Sequence, residues 1–226
     1  MKVCVLGSNG FVGSNLLKDT NWIGVTRCEL DLTDQHAVEK HFNEHKYDVV
    51  IHCAVVGGSR LKLDDGDVAY KNILMFENVV RVFKGKLIYF SSGAALRGNP
   101  PTDPYGLSKW VIDRRIETIP NAYSLRIWGC YGPGELSTRF SAVCREKGHV
   151  VINKDRYFDF VDIEYVRKVV FDYVHGYLDD KEYNLVYPEK LLLSQWAERF
   201  GATWEVKEEG LDEPYILKIS NDCKVR

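Results

Sequence analysis

Two residues four positions apart could together transfer a proton. Tyr105 and Lys109 stand in the segment YGLSK, and on a helix this spacing places both side chains on one face, one turn apart. A tyrosine with its ordinary pKa of about 10 is a poor base at neutral pH, but a neighbouring ammonium group favours the phenolate. The pair is therefore predicted to be catalytic. The alternative is a solvent-facing pair, because this spacing is common by chance.

A second group of residues could hold a pyrophosphate. Gly7, Gly10 and Gly13 follow the apolar run of residues 2–6 and precede a helical pattern. Glycine at a strand-to-helix turn permits a positive φ and leaves room for the phosphates, and the helix that begins there points N–H groups at them. The arrangement predicts dinucleotide binding rather than a plain strand–turn–helix. The residues predicted to contact the cofactor are Gly7, Asn9, Gly10, Phe11, Val12 and Gly13.

Residues at the ends of the second and third predicted strands bear on the choice of cofactor. Arg27 follows the second strand, where an arginine suits the 2′-phosphate of NADP and an acidic residue suits the ribose hydroxyls of NAD. The prediction is NADP, with NAD possible, and the alternative is a solvated surface arginine. Ala54 and Val55 follow the third strand, where small residues leave room for the cofactor backbone. Both are predicted to line its site.

Buried strands alternating with helices must position these residues. Continuous apolar runs at 2–6, 48–54 and 86–90 are typical of strands buried on both faces of a parallel sheet. Helices are predicted over 68–83, from apolar positions at helical spacing, and over 105–119. This alternation predicts an α/β fold, a doubly wound parallel Rossmann sheet.

After Pro133 the pattern changes to shorter elements. Residues 1–133 are predicted to form a dinucleotide-binding Rossmann domain. Residues 134–226 are predicted to form a small substrate lobe interleaved with the far edge of the sheet, so that the boundary near 133 is approximate.

Composition narrows the classes of function. The chain has 226 residues, 45% of them hydrophobic, and a formal net charge of −2, which gives no electrostatic case for binding nucleic acid or an anionic membrane. No apolar segment is long enough for a signal peptide or a membrane span, so a cytoplasmic location is predicted. The six cysteines have no metal-ligand spacing, so reduced thiols are expected rather than disulfides or a zinc site; they are Cys4, Cys28, Cys53, Cys130, Cys144 and Cys223.

The motifs resemble those of a known enzyme family. The spacing GxxGxxG and the segments DLTDQHAVEKHFNEHKYDVVIHCAVVGGS, KNILMFENVV and LRIWGCYGPG are similar to those of the extended short-chain dehydrogenases/reductases. The resemblance is to the GDP-fucose synthases and related epimerases in particular, which act on nucleotide sugars. It covers roughly the first 165 residues.

The resemblance implies further site residues. Asp31 and Leu32 would lie near the adenine, where helix capping is the alternative for Asp31, and Asn72 would contact the cofactor from its helix. Lys109 would hold the nicotinamide ribose as well as lowering the pKa of Tyr105, so both would also contact the cofactor. A serine after the fourth strand would bind the reacting substrate oxygen, Ser91 by preference and Ser92 second. Arg156 would bind the substrate diphosphate, and Gly93 and Gly129 stand at positions where relatives touch the substrate.

Departures from the pattern restrict the implied reaction. Gly93 falls where relatives carry a hydroxyl or an epimerising cysteine, and Gly129 falls where they carry an asparagine. The segment ELSTRF offers no histidine as acid partner. The resemblance therefore does not imply 3,5-epimerisation for this chain. Gly93, Ala94 and Ala95 likewise disfavour a 4,6-dehydratase. What remains is an NAD(P)-dependent 4-epimerase or 4-keto reductase of a nucleoside-diphosphate sugar. The alternative is a catalytically decayed dinucleotide-binding sensor or scaffold. Relatives form homodimers through the helices at 68–83 and 105–119, and a homodimer is expected here.

Overall fold

A computed structural model describes residues 1–59 and 62–218 of the chain. The strands, in chain order, are β1 Val3–Leu6, β2 Ile23–Val25, β3 Val49–His52, β4 Lys86–Ser92, β5 Ala122–Ile127, β6 Gly129–Tyr131, β7 His149–Asp155, β8 Tyr157–Phe158, β9 Phe160–Asp162, β10 Glu182–Leu185, β11 Leu191–Leu192 and β12 Thr203–Leu211. The helices are α1 Phe11–Leu16, α2 Gln35–Glu44, α3 Gly66–Val82, α4 Pro104–Glu117, α5 Phe140–Lys147, α6 Ile163–His175 and α7 Leu193–Arg199, with a 3₁₀ turn at Gly93–Leu96.

Six strands form the main sheet, in the order β10-β5-β4-β3-β1-β2. β1 pairs in parallel with β2 and with β3, and β3 pairs in parallel with β4. After β2 the chain crosses back over β1, and β3 pairs with the opposite edge of β1. β1 therefore lies in the interior of the sheet. The predicted doubly wound parallel α/β sheet is confirmed.

The chain divides into two compact units, Met1–Arg126 with Arg167–Tyr183, and Ile127–Val166 with Asn184–Arg226. This division differs from a single boundary near residue 133. The chain leaves the first unit earlier, after β5, and comes back to it through α6, whose amphipathic sequence supplies apolar side chains on one face.

Apolar sequence runs explain the core of the first unit. All four residues of β1 and all four of β3 are buried, as expected for strands covered on both faces. Phe76 and Val79 of α3, both fully buried, pack in the same cluster as Leu87 and Tyr89 of β4. This packing fixes α3 and α4 over the strands whose ends carry the predicted site.

Helix α4, which carries Tyr105 and Lys109, begins at a point that its sequence specifies. Asp103 is its N-cap, and its side chain accepts a hydrogen bond from the Gly106 N–H at 2.7 Å. Pro104 occupies the first helical position, where its missing N–H leaves no bond unmade. Tyr105 therefore stands in the first turn of the helix and Lys109 in the second.

The second unit is built from short two-stranded pairs. β12 lies parallel to β7, β9 lies parallel to β6, and β11 lies antiparallel to β8. An aromatic cluster joins Phe158, Phe160 and Trp196, and the Trp196 indole donates a hydrogen bond to the Phe158 carbonyl at 2.8 Å. A second buried cluster of the same unit contains Cys144, Val150 and Ile152. Two small clusters thus form the core of a unit too small to bury a long apolar sheet.

The cysteines that the structure describes are all free thiols. Burial raises the pKa of Cys4 and of Cys130 to about 12, so both are held as thiols. Cys28 is exposed. Cys223 lies outside the described residues.

Candidate active site

The turn after β1 admits glycine alone at two of its three glycine positions. Gly7 has a φ of +77°, and a Cβ there would lie 2.7 Å from the backbone of Ala54. A Cβ at Gly13 would lie 2.5 Å from the Gly7 carbonyl oxygen. These two glycines therefore let the strand, the turn and the first helix approach one another closely.

Gly10 differs from its neighbours, because its missing Cβ leaves open space. The nearest atom to an added Cβ is the Gly7 carbonyl oxygen at 3.4 Å, an ordinary contact distance. Gly10 is the N-cap of α1, and no side chain caps the helix there. The fold itself does not require glycine at this position.

A cavity of about 260 Å³ opens beside this turn. The predicted cofactor residues that line it are Gly7, Asn9, Gly10, Arg27, Asp31, Leu32, Ala54 and Val55. Lining residues that sequence reasoning missed are Leu6, Val25, Thr26, Leu30, Thr33, Cys53, Val56, Lys71 and Met75. Several of these residues are adjacent in the chain to predicted residues, and this adjacency could have identified them. The wall is mostly apolar with a few polar groups, as is usual for a cofactor site.

Charged groups of both signs lie on the wall of this cavity. Asp31 accepts hydrogen bonds from the backbone N–H and the hydroxyl of Thr33, at 2.9 and 2.7 Å, and these bonds lower the pKa of its carboxyl. Arg27, 76% exposed, lies 3.9 Å from Asp31, beyond hydrogen-bond length. Lys71 bonds Asp67 at 2.7 Å. The Arg27 guanidinium therefore keeps donors available for an anion.

Asn72 has contacts other than those that the resemblance implies. It is buried, its amide nitrogen donates to the Val56 carbonyl at 2.9 Å and to the Ser108 hydroxyl at 3.1 Å, and its oxygen accepts from the Val56 N–H at 2.9 Å. These bonds occupy both ends of the amide. Asn72 thus fastens the segment after β3 to helices α3 and α4.

Lys109 lies beneath Tyr105 and inside the protein. Its side chain is almost completely buried, and its Nζ lies 5.6 Å from the centre of the Tyr105 ring. The Nζ donates to the Tyr89 hydroxyl at 2.7 Å and to the Phe90 carbonyl at 2.8 Å. Burial lowers the pKa of Lys109 to about 7, with the Asp113 carboxylate acting in the opposite direction. The two residues are brought together. These protein partners take two of the three donors of the ammonium, which leaves one for the ribose contact that the resemblance implies.

The segment after β3 joins the cavity to Tyr105. Residues 53–56 line the cavity, and Gly58 follows with a φ of +72°. A Cβ at Gly58 would lie 2.8 Å from two carbons of the Tyr105 ring, so the loop backbone packs against that ring. Gly58 was not predicted as a site residue, because contact between a loop and a distant helix leaves no local pattern.

The two serines at the end of β4 have different surroundings. The Ser92 hydroxyl accepts from the Ala94 N–H at 3.2 Å and so caps the 3₁₀ turn that begins at Gly93. The Ser91 hydroxyl is buried and has no hydrogen-bond partner within residues 1–59 and 62–218. A buried hydroxyl without a partner destabilises a fold by about 1–3 kcal/mol. Ser91 is therefore the serine with an unused donor. Gly93, the first residue of the 3₁₀ turn, is buried.

Gly129 and Arg156, the remaining predicted substrate residues, belong to the second unit. A Cβ at Gly129 would lie 2.6 Å from Phe160 and 2.8 Å from Phe158, so the aromatic cluster accounts for glycine there. Arg156 forms an ion pair with Asp212 and is about one-third exposed. Its guanidinium is therefore partly committed within the unit.

No helix in residues 1–59 and 62–218 is long and apolar enough to cross a membrane. Within the same residues, no group of three or more His, Cys, Asp or Glu side chains could hold a metal ion.

Comparison with protein families gives one match to most of the chain. Residues 3–171 match the model of the NAD dependent epimerase/dehydratase family. The UDP-glucose 4-epimerase of Mus musculus is 32% identical over 127 residues, 46% of this chain and 37% of that protein. The enzyme of the same name from Lacticaseibacillus casei is 25% identical over 162 residues, 56% of this chain and 49% of that protein. The chain thus spans less than half the length of these curated relatives.

Solved structures share the fold at low identity. The dTDP-4-dehydrorhamnose reductase of Bacillus anthracis in complex with NADP has a TM-score of 0.81 at 19% identity, covering 95% of this chain and 88% of that one. The GDP-L-fucose synthetase of Naegleria fowleri bound to NADP has a TM-score of 0.80 at 15% identity, covering 97% and 84%. The UDP-glucose 4-epimerase of Thermus thermophilus with NAD has a TM-score of 0.74 at 21% identity, covering 91% and 85%.

Proposed function

The chain belongs to the NAD-dependent epimerase/dehydratase family, and we propose that it is an enzyme acting at C4 of the sugar of a nucleoside-diphosphate sugar, as a 4-epimerase or a 4-keto reductase. The observation that carries this proposal is the segment after β3. It lines the cofactor cavity at residues 53–56 and packs against Tyr105 at Gly58. One short stretch of backbone therefore connects the place for a dinucleotide with the proton-transfer group.

The residues around the cavity fit a nicotinamide dinucleotide, which is the cofactor class of the family. Gly7 and Gly13 form a turn that any Cβ would fill, and Gly10 leaves open space at the start of α1. The glycine turn and α1 would hold the pyrophosphate. Arg27 would hold a 2′-phosphate, which makes NADP the preferred form. When bound, the nicotinamide supplies or accepts the hydride.

The remaining chemistry falls to side chains of the first unit. Tyr105 would give a proton to the sugar oxygen at C4 or take one from it, depending on the direction of reaction. The Lys109 ammonium, 5.6 Å from the ring centre, would stabilise the phenolate and so lower the pKa of Tyr105. The Ser91 hydroxyl, which lacks a partner in the described part of the chain, would donate to the same sugar oxygen, with Ser92 as second choice. We further propose that Arg156 in the second unit binds the diphosphate.

A second candidate function is a dinucleotide-binding sensor or scaffold that has lost turnover. Gly93 and Gly129 favour it, because neither supplies a side chain to a substrate, and the retained pair of Tyr105 and Lys109 opposes it. The two functions differ in what the purified protein binds. An enzyme should show a higher melting temperature with NADP and a further rise with at least one nucleotide sugar from a panel. A rise with NADP alone would favour the sensor.

Replacing Gly10 by valine should abolish dinucleotide binding while leaving the fold intact. A Cβ at this position meets only ordinary contacts within the protein, so its branches would project into the space assigned to the pyrophosphate. The measurement is a titration of NADPH fluorescence. The control is Gly66→Val, at a helical glycine whose added Cβ has no atom within 4 Å. Equal NADPH affinity in Gly10→Val and the parent would contradict the assignment of the glycine turn.

Replacing Arg27 by alanine should remove the preference for NADP over NAD. A charge-assisted hydrogen bond to a 2′-phosphate contributes about 1–3 kcal/mol, or roughly a 5- to 150-fold ratio of dissociation constants. Affinity for NADPH should fall by that factor while affinity for NADH stays the same. The control is Arg81→Ala, which removes an arginine that is 40% exposed and pairs with Glu39 outside the cavity. A parent protein that binds NADH more tightly than NADPH would refute the claim at once.

A further inference from the structure

Lys109 is held by a residue that no motif of the chain includes, Tyr89 in the middle of β4. The Tyr89 hydroxyl accepts a hydrogen bond from the Lys109 Nζ at 2.7 Å, and the ammonium also lies 4.5 Å from the centre of the Tyr89 ring. Both side chains are 2% exposed. A polar pair at this depth is stable only when its hydrogen bonds are made, so the position of each group depends on the other.

We propose that Tyr89 is a positioning residue, whose hydroxyl fixes the Lys109 amine beneath Tyr105 and keeps it hydrogen-bonded whether or not the amine carries a proton. The effect on turnover rests on the proposed function, whereas the effect on Lys109 itself does not. No residue of the predicted site has this role, because sequence reasoning placed Tyr89 only within an apolar strand.

The hydroxyl of Tyr89 has a fixed location because its ring is packed from two sides. The ring makes edge contacts with Phe76 at 5.3 Å and with His52 at 5.4 Å between ring centres. The Phe90 carbonyl, which belongs to the next residue of the same strand, gives Lys109 its second acceptor at 2.8 Å. Two acceptors on one rigid strand set the direction of the Nζ, and that direction places it under the Tyr105 ring.

A phenol suits an amine that changes its charge. The ammonium form donates to the phenol oxygen, and the neutral amine accepts from the phenol hydrogen, so the bond persists in both states. The Phe90 carbonyl can only accept a hydrogen bond. A phenylalanine side chain at position 89 could neither donate one to the amine nor accept one from it. Loss of the hydroxyl would therefore leave the buried amine with one fixed partner instead of two.

The groups that face Lys109 are mostly uncharged. The pKa of Lys109 is lowered to about 7 by burial, and the pKa of His52 is lowered to about 3, again mainly by burial, so His52 stays neutral. Burial also raises the pKa values of Cys53 and Tyr89. The ionisable groups around Lys109 are Tyr105 and Asp113 on α4, His52 and Cys53 at the end of β3, and Tyr89 on β4.

The test follows the charge of Lys109 directly. The protein is labelled with ¹³C-lysine, the Lys109 Cε signal is assigned by its loss in Lys109→Met, and its chemical shift is followed against pH. The parent should titrate near 7. Tyr89→Phe should lower the midpoint by about one pH unit, because the ammonium gains more than the neutral amine from the phenol oxygen. The matched control is Tyr173→Phe, which removes the hydroxyl of another fully buried tyrosine that bonds the Asp180 carbonyl.

The possible results bear separately on the positioning role of Tyr89 and on the proposed function. An unchanged Lys109 midpoint in folded Tyr89→Phe overturns the positioning role. A parent midpoint near the ordinary lysine value of about 10.4 overturns the claim that the phenol also serves a neutral amine, even if Tyr89→Phe does not fold. In an active enzyme, kcat should fall as pH rises through the pKa of Lys109, and Tyr89→Phe should move that fall to lower pH. A lowered midpoint in a protein that turns over no nucleotide sugar would uphold the role of Tyr89 and refute the proposed function.

Discussion

Replacement of Tyr105 by phenylalanine is expected to lower turnover by roughly 10²- to 10⁴-fold, the usual contribution of a placed acid–base group. The ring contacts Gly58 and lies over Lys109, and the variant retains that ring. Fold and cofactor affinity should therefore stay as they are in the parent. The loss should appear in kcat, because the missing proton transfer belongs to the transition state rather than to binding.

The measurement is steady-state turnover of a nucleotide sugar that the parent accepts, together with an NADPH titration of each variant. The control is Tyr70→Phe, on α3 of the same unit, where the side chain is mostly exposed. Equal kcat values for Tyr105→Phe and the parent would remove Tyr105 from the mechanism. A large loss of NADPH affinity in Tyr105→Phe would instead make it a binding residue.

Replacement of Arg126 by methionine is expected to lower the free energy of unfolding by about 3–5 kcal/mol, the usual effect of leaving one member of a buried ion pair alone. The Arg126 Nε lies 2.8 Å from Asp113, and the two side chains are 4% and 1% exposed. Asp113 also accepts a hydrogen bond from Ser124 at 2.7 Å. Because Asp113 lies one turn after Lys109 on α4, this pair also holds the helix that carries the proposed catalytic residues.

Urea unfolding of the parent and the variant measures this effect. Arg115→Met is the control, because Arg115 pairs with Glu77 at 2.9 Å where both side chains are over 40% exposed. It should change stability by no more than about 1 kcal/mol. A loss in Arg126→Met no larger than that of Arg115→Met would contradict the account of the buried pair.

Local patterns predicted the fold because they depend on neighbours in the chain. The continuous apolar runs of β1 and β3 mark strands buried on both faces, and the strand–helix alternation determined the class of sheet. The start of α4 at Pro104 follows from an N-cap residue and a proline, both visible in the sequence. β6 was missed because three residues of mixed polarity, GCY, have no period to detect.

The candidate site was predicted less completely, because its remaining parts depend on contacts between distant segments. The glycine spacing identified the turn, yet nothing in the sequence indicated that the fold requires glycine at positions 7 and 13 but not at position 10. Lys71 reaches the cavity from α3, and Tyr89 reaches Lys109 from β4. Such pairs form only when the sheet brings their elements side by side.

Hydride transfer to a sugar tests the proposed function most directly. NADPH deuterated at C4 of the nicotinamide is incubated with the parent protein and a panel of nucleotide 4-keto sugars. Both a 4-epimerase and a 4-keto reductase should reduce such sugars. The mass of each product sugar is then measured by mass spectrometry. The account predicts that at least one nucleotide sugar gains one deuterium. Bound NADPH that keeps its deuterium in the presence of every nucleotide sugar would contradict it.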